Sequence, residues 1–236
     1  MKILVVSPVV SQDLLKGDYE YFQQVADPAT EVELVRVERG PTSIETFHDA
    51  AYAGPEILRL VREKHDTVDA IVVNCFADPA VDAAREITDK VVLGPAETSM
   101  SVALHLGARF SVVSVLPNTP YWVSWQARKQ GIESRLASAI GVDIPVLRIG
   151  KSAEATVNAI VEAAALAIKQ DGAEVIVLGC TGMVSLAKAV RERLSVPVVE
   201  PAATTLKMAE LLVKLDLRHH HGGLYLSAVY DKIQGY

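Results

Sequence analysis

"DAIVVNCFADPA" (residues 69–80) and "AEVIVLGCTGMV" (173–184) follow one plan: an apolar run rich in β-branched residues, a cysteine where the run ends, and the opening of a further element. A short continuous apolar run of this kind reads as a strand buried on both faces, the habit of parallel sheets. Cys75 and Cys180 are the only two cysteines of the 236-residue chain, and they stand 105 residues apart. Their common setting raises the question whether the chain is one unit written twice.

The flanking sequence says that it is. Strand-like runs alternate with helical patterns throughout, the signature of parallel βα units. The first four are "KILVV" (2–6), "VELVRV" (32–37), "AIVVNC" (70–75) and "KVVL" (90–93). Four more follow as "RFSVVSV" (109–115), "IPVLRI" (144–149), "EVIVLG" (174–179) and "VPVV" (196–199). "VVS" ending at Ser7 returns as "VVS" ending at Ser114, "VRV" ending at Val37 as "LRI" ending at Ile149, and Pro95 as Pro201. With the cysteines, four landmarks recur in order at separations of 105 to 112 residues, which marks an internal duplication. The clearest helix begins after Ser152, its N-cap by residue type, with Ala153, Val157, Ile160, Val161, Ala164 and Ile168 on one face.

The expected fold is therefore α/β: two pseudo-twofold-related lobes, each a four-stranded parallel sheet flanked by helices, with the active site in the cleft between them. Residues 1–106 form the first lobe and 107–209 the second, with 210–236 returning to complete the first lobe or packing on another subunit. Open parallel sheets bind ligands beyond the carboxyl ends of their strands. Both cysteines lie there, so facing lobes bring two thiols to opposite sides of one small molecule.

Two opposed thiols suit the inversion of a carbon acid. One removes a proton from one face as thiolate, the other returns a proton to the opposite face, and the roles exchange for the other enantiomer. No metal or organic cofactor is needed for this, and none is expected. A free thiol titrates at about 8.5, and a helix N-terminus lowers that value. Asp78-Pro79 after Cys75 and Thr181-Gly182 after Cys180 both read as helix openings, with Pro79 in the first turn and free backbone N–H groups able to hold an enolate oxygen. A lone cysteine is usually a small core residue. Two at matching places of a repeat argue for chemistry.

Composition narrows the alternatives. With 50% hydrophobic and 22% charged residues the chain supports a packed core, and its net charge of −6 argues against a nucleic-acid partner. No apolar run reaches the roughly 18 residues of a membrane span. The start "MKILVVSP" lacks the parts of a signal peptide, so a cytoplasmic protein with reduced thiols is expected. Neither cysteine has companions at metal-site spacing, and the "HHH" run at 219–221 reads as a solvated turn outside the repeats. "GKS" at 150–152 opens a helix, but Pro145 stands where a phosphate-binding loop requires its first glycine. GxGxxG, GxSxG and HExxH are absent.

"NCFADPA", "LGCTGM" and "GPTSIE" (40–45) resemble the hydantoin/allantoin racemase branch of the aspartate/glutamate racemase superfamily, over nearly the whole chain. The resemblance implies a duplicated α/β architecture, catalysis without a cofactor, and catalytic roles for Cys75 and Cys180. Glutamate racemases would show "CNT" and "CTH"; Phe76 and Gly182 stand here in place of the Asn and His, which turns the reading away from acidic amino acids. Maleate isomerases keep both cysteines and are the main alternative within the superfamily. A binding protein that kept the fold and lost turnover is the alternative outside it. One departure is the first loop, where "SPVVS" (7–11) replaces the "NPNT"-like run of hydantoin racemases.

The expected activity is racemisation or epimerisation of a small cyclic ureide, a hydantoin- or allantoin-like compound, by a homo-oligomeric isomerase. The candidate substrate-binding residues come from loops at the strand ends: Ser7, Val9, Ser43, Ile44, Phe76, Ser114, Asn118, Thr119, Thr181 and Gly182. Asn118 and Thr119 serve equally as the start of a helix. Glu97 and Glu200, at the end of the fourth strand of each unit, either face the cleft or support a loop.

Overall fold

The computed structural model describes residues 1–228, and Tyr230 and Tyr236 of the C-terminal segment lie outside the described residues. Two parallel sheets of four strands form the molecule. The first has the order β2-β1-β3-β4, from β1 (Lys2–Ser7), β2 (Glu31–Arg36), β3 (Ala70–Val73) and β4 (Val91–Leu93). The second has the order β6-β5-β7-β8, from β5 (Phe110–Ser114), β6 (Leu136–Gly141), β7 (Val175–Leu178) and β8 (Val198–Val199). β3 and β7 are buried along their whole length, as continuous Val/Ile/Leu runs require when helices cover both faces of a sheet.

Seven of the eight expected strands are found within one or two residues; the sixth is a correction. "IPVLRI" does not pair: residues Val146–Ser152 form a 3-10 helix in which Val146 and Ile149, three apart, are the buried positions. The strand is "LASAIG", whose small, half-buried residues suit a sheet edge and carry little apolar signal. A short apolar run does not by itself separate strand from helix. The correction tightens the repeat, since β6 begins 105 residues after β2, the separation of the two cysteines.

Helices cover the sheets. On one face of the first sheet, α2 (Phe47–Lys64) sets Ala53, Ile57, Leu60 and Val61 against Leu4, Val6, Ile71 and Val73. Thr46 and Asp49 cap it reciprocally. Short α3 (Val81–Arg85) follows on the same side. On the second sheet, α6 (Ala153–Asp171) and α7 (Ala187–Arg191) play the matching part, through Val157, Ile160, Ala164, Ala167 and Val190. Ser152 holds the N-cap position of α6, though its side chain makes no capping bond.

The other two faces exchange helices. α4 (Pro95–Ala103) follows the first sheet but packs Ala96, Met100 and Ala103 with Phe110, Val112, Val175 and Val177 of the second, beside α5 (Thr119–Lys129). α8 (Pro201–Lys214) follows the second sheet but packs Ala202, Leu206 and Ala209 with Ile3, Val5, Val72 and Val91 of the first, beside α1 (Gln12–Val25). Positions i, i+4 and i+7 put each triplet on one helix face. Met100 and Leu206 are fully buried, each stabilising the exchange by about 2 kcal/mol.

The described part of the segment after α8, residues 215–228, lies along the first lobe without joining its sheet. His219 Nε2 accepts the Val92 N–H at 2.8 Å, Tyr225 bridges Arg85 and Asp82 at 3.0 Å each, and Ala228 N–H donates to the Glu86 carbonyl at 2.8 Å.

Candidate active site

The β3 ladder ends at Val73, and Cys75 stands two residues beyond it; β7 ends at Leu178, and Cys180 stands two residues beyond that. In each lobe the chain turns at once. The Asp78 N–H donates to the Cys75 carbonyl at 2.9 Å, and the Met183 N–H to the Cys180 carbonyl at 3.2 Å. The amide two residues on then turns back to the sulfur: Ala77 N–H to Cys75 Sγ, Gly182 N–H to Cys180 Sγ. Two matching turns thus give two thiols the same local donor.

Both thiols line a single cavity of about 100 Å³ between the lobes. Every residue expected from the strand-end loops also lines it: Ser7, Val9, Ser43, Ile44 and Phe76 from the first lobe, and Ser114, Asn118, Thr119, Thr181 and Gly182 from the second. Some of these carry structural bonds as well. Ser114 Oγ donates to the Gly179 carbonyl at 2.7 Å and Thr119 Oγ1 to the Leu116 carbonyl at 2.6 Å, so both hydroxyl protons are already engaged. Asn118 is the residue before α5, and its side-chain amide donates across the lobes to the Glu45 carbonyl at 3.0 Å.

Among the lining residues that had not been expected are Asp18, Glu45, Asn74, Trp122 and Val146. Asn74 was within reach, being adjacent to Cys75 at the carboxyl end of a strand. Asp18 comes from α1, Trp122 from α5 and Val146 from the 3-10 helix, and only packing brings them in. Asn74 Nδ2 donates to Asp18 Oδ2 at 3.0 Å, while Asn74 Oδ1 is buried without a protein partner. Among the described lining residues the charged groups are Asp18 and Glu45, both acidic.

Burial sets the titration of the site. It pushes the Cys75 thiol up to about 12, countered by the Ala77 N–H and reinforced by Cys180 and Asp78. It pushes Cys180 up to about 11, countered by the Gly182 N–H and reinforced by Asp18 and Glu45. The expectation that a helix terminus lowers these values is overturned. α3 begins only at Val81, so Pro79 precedes that helix, whereas a 3-10 helix, Thr181–Leu186, does open directly after Cys180 as expected; at both sulfurs desolvation outweighs the single N–H that each receives. Asp18 is likewise raised to about 7, by burial first and by the charge of Glu200.

The two doubtful glutamates do not line this cavity. Glu200 is fully buried and caps α8, accepting Ala202 N–H at 2.7 Å and Ala203 N–H at 2.8 Å, with Tyr21 donating to it at 2.7 Å. Glu97 pairs with Arg85 and accepts the Gly94 N–H at the start of α4. His221 bonds the Thr88 carbonyl, so that two of the three consecutive histidines face backbone of the first lobe.

The sequence profile of the Asp/Glu/hydantoin racemase family matches residues 3–209. The chain belongs to this family. As a member of the Asp/Glu/hydantoin racemase family it is an isomerase, and its relatives divide by kind. The hydantoin racemase of Paenarthrobacter aurescens is 36% identical over 217 residues, 91% of this chain and 92% of that protein. The allantoin racemase of Pseudomonas fluorescens superposes with a TM-score of 0.95 at 30% identity, covering 100% of both chains. That of Klebsiella pneumoniae reaches 0.91 at 33% identity, over 97% of this chain and 94% of the other. Among the described residues no helix is long and apolar enough to cross a membrane.

Proposed function

We propose that this family member racemises a small cyclic ureide of the hydantoin type by two-base proton transfer between Cys75 and Cys180. The observation that carries the proposal is that both sulfurs line one cavity from opposite lobes, each two residues past its third strand. In one direction the Cys75 thiolate takes the proton from the ring carbon between its amide nitrogen and carbonyl, and the electron pair moves onto the carbonyl oxygen as an enolate. The Cys180 thiol then protonates the opposite face of the carbon. The reverse direction exchanges the roles, and no atom beyond substrate and the two thiols is consumed.

The raised thiols fit this chemistry. A carbon acid beside a carbonyl is far weaker than an ordinary thiol, so a thiolate made more basic by burial narrows the gap, at the expense of its population. The neutral and acidic lining favours an uncharged ring over an amino-acid carboxylate, and the unpartnered Asn74 Oδ1 offers an acceptor for a ring N–H. The hydantoin and allantoin racemases among the relatives support the same substrate class.

The test is NMR of each pure enantiomer of a hydantoin in D₂O with C75S and C180S. Each variant is expected to lose racemisation yet exchange the ring proton of one enantiomer only, and the two variants should choose opposite enantiomers. Racemisation persisting in either variant would remove the two-base mechanism.

A further inference from the structure

Asn74 stands at the junction of the two thiols. It precedes Cys75 in the chain, and its carbonyl accepts the hydroxyl of Thr181, the residue after Cys180, at 3.5 Å across the lobes. Its side-chain amide reaches α1, where Nδ2 donates to Asp18 Oδ2 at 3.0 Å. The other end of that amide, Oδ1, is a buried acceptor with no protein donor. Asp18 and Asn74 both line the cavity that holds the sulfurs.

A carboxylate accepts and cannot donate, so an ionised Asp18 leaves Asn74 Oδ1 unsatisfied, whereas a protonated Asp18 supplies the missing O–H. An acid and an amide already joined by one N–H bond close a planar ring with the second bond, which removes the cost of a buried acceptor without a partner. The second lone pair of Oδ1 stays free for a ring N–H of the substrate. The surroundings favour the neutral acid. Among the described residues, most charged groups on the elements packed against α1 are engaged elsewhere. Glu31 and Glu33 of β2 pair with Lys2 and Lys64, Arg36 donates to the Val10 carbonyl at 3.2 Å, and Lys207 and Lys214 of α8 pair with Glu210 and Asp27. Glu200, at the start of α8 and bonded to Tyr21, is the charge that bears on Asp18, and it is another carboxylate. Burial, with the charge of Glu200, raises Asp18 to about 7 against the Asn74 bond. Ionised, Asp18 opposes a thiolate at Cys180, as Glu45 does.

We propose that Asp18 is a positioning residue that works as a neutral acid. Its O–H donates to Asn74 Oδ1 while Asn74 Nδ2 donates back, which fixes the amide beside Cys75 and keeps negative charge from Cys180 when that thiol becomes the base. The inference rests on the two-thiol racemisation of a hydantoin proposed above. Its signature is the pH profile. The productive form holds one thiolate and a protonated Asp18, so kcat/KM climbs about tenfold per pH unit while Asp18 keeps its proton. Above pH 7 the dominant form has an ionised Asp18 and two intact thiols, which carries the same number of protons as the productive form. The productive fraction then stops growing, and the profile levels.

The test is kcat/KM for 5-methylhydantoin between pH 5.5 and 8.5 with wild type, Asp18→Asn and Asp18→Ala. The wild-type profile should level near pH 7. Asp18→Asn, whose amide has a donor for Asn74 Oδ1 at every pH, should go on rising about tenfold per pH unit. At pH 6 Asp18→Ala, which has no such donor, should fall about tenfold below Asp18→Asn, roughly the worth of a buried hydrogen bond. In substrate-free protein the carboxyl carbon of Asp18, followed by ¹³C NMR, should titrate near pH 7. A wild-type profile that rises without a break to pH 8.5, or a carboxyl that titrates below pH 5, overturns the inference even if a variant fails to fold. So does a break that persists in Asp18→Asn, or equal activity of the two variants at pH 6. Absence of turnover at every pH removes the hydantoin reading itself, while the NMR midpoint, taken without substrate, still judges the state of Asp18.

Discussion

The carboxylate of Asp78 occupies the space that a β-carbon on Gly94 would need. A methyl group built there stands 2.4 Å from both Cγ and Oδ1 of Asp78. Asp78 sits in the turn after Cys75, with a left-handed φ of 48°, and its two oxygens accept the Ala96 and Glu97 N–H groups at the start of α4. The turn that presents the thiol is thereby tied to the helix that crosses to the second lobe. Gly94→Ala should cost about 2 kcal/mol in urea denaturation, because the displaced carboxylate is pinned. In an Asp78→Ala background the same substitution should cost much less, giving a clear coupling in a double-mutant cycle. Additive effects would mean that the crowding is relieved elsewhere.

The upward shift of the two thiols, in cysteines that keep part of their surface exposed, predicts their reactivity. With Cys75 pushed up to about 12 and Cys180 to about 11, both are almost wholly protonated at neutral pH. Alkylation by iodoacetamide, followed by peptide mass, should be slow at pH 7.5 and climb about tenfold per pH unit through pH 10, since the thiolate is the nucleophile. A rate that levels off near pH 8 would contradict the upward shift of the thiols.

Asp18 makes stability depend on pH with a definite sign. Its carboxyl rises from an unfolded value near 3.8 to about 7 in the fold, so between these values the native state holds the extra proton. Stability falls as pH rises through this window, and the full cost is present above pH 7. Asp18→Asn should therefore raise Tm at pH 8 and leave it nearly unchanged at pH 4. Because the charge of Asp18 helps to hold Cys180 up, the same variant should shift the Cys180 alkylation profile to lower pH. An equal Tm change at both pH values would count against a buried, titrating Asp18.

Asn74 lines the cavity, and its Oδ1 is a buried acceptor that no protein group uses. Asn74→Ala should lower kcat/KM for every hydantoin by about tenfold or more, including the smallest, because a ring N–H is common to all. Selective loss on large substituents would place Asn74 beside the side chain instead of the ring.

Much of this was legible in the chain. The two cysteine-bearing strands announced themselves because a strand covered on both faces must be apolar along its length, a property of local sequence. The repeat then supplied the second lobe, and the rule that ligands sit beyond strand ends located the cavity and ten residues lining it. The misplaced sixth strand marks the limit. At a sheet edge one face is lightly covered, so Leu136–Gly141 needs few large apolar residues, while Val146 and Ile149 are apolar because they cover a core as a 3-10 turn.

By itself, then, the sequence determined that the protein is a duplicated α/β chain with one thiol at the same point of each half, because those features depend on residues near each other along the backbone. Tertiary structure alone decided which helix covers which sheet, with α4 and α8 exchanged between lobes, and which distant groups share the cavity with the sulfurs. It also decided the direction of the thiol titration. A helix terminus can be read from a few consecutive residues, but desolvation depends on everything packed around the sulfur, and here it is the larger effect.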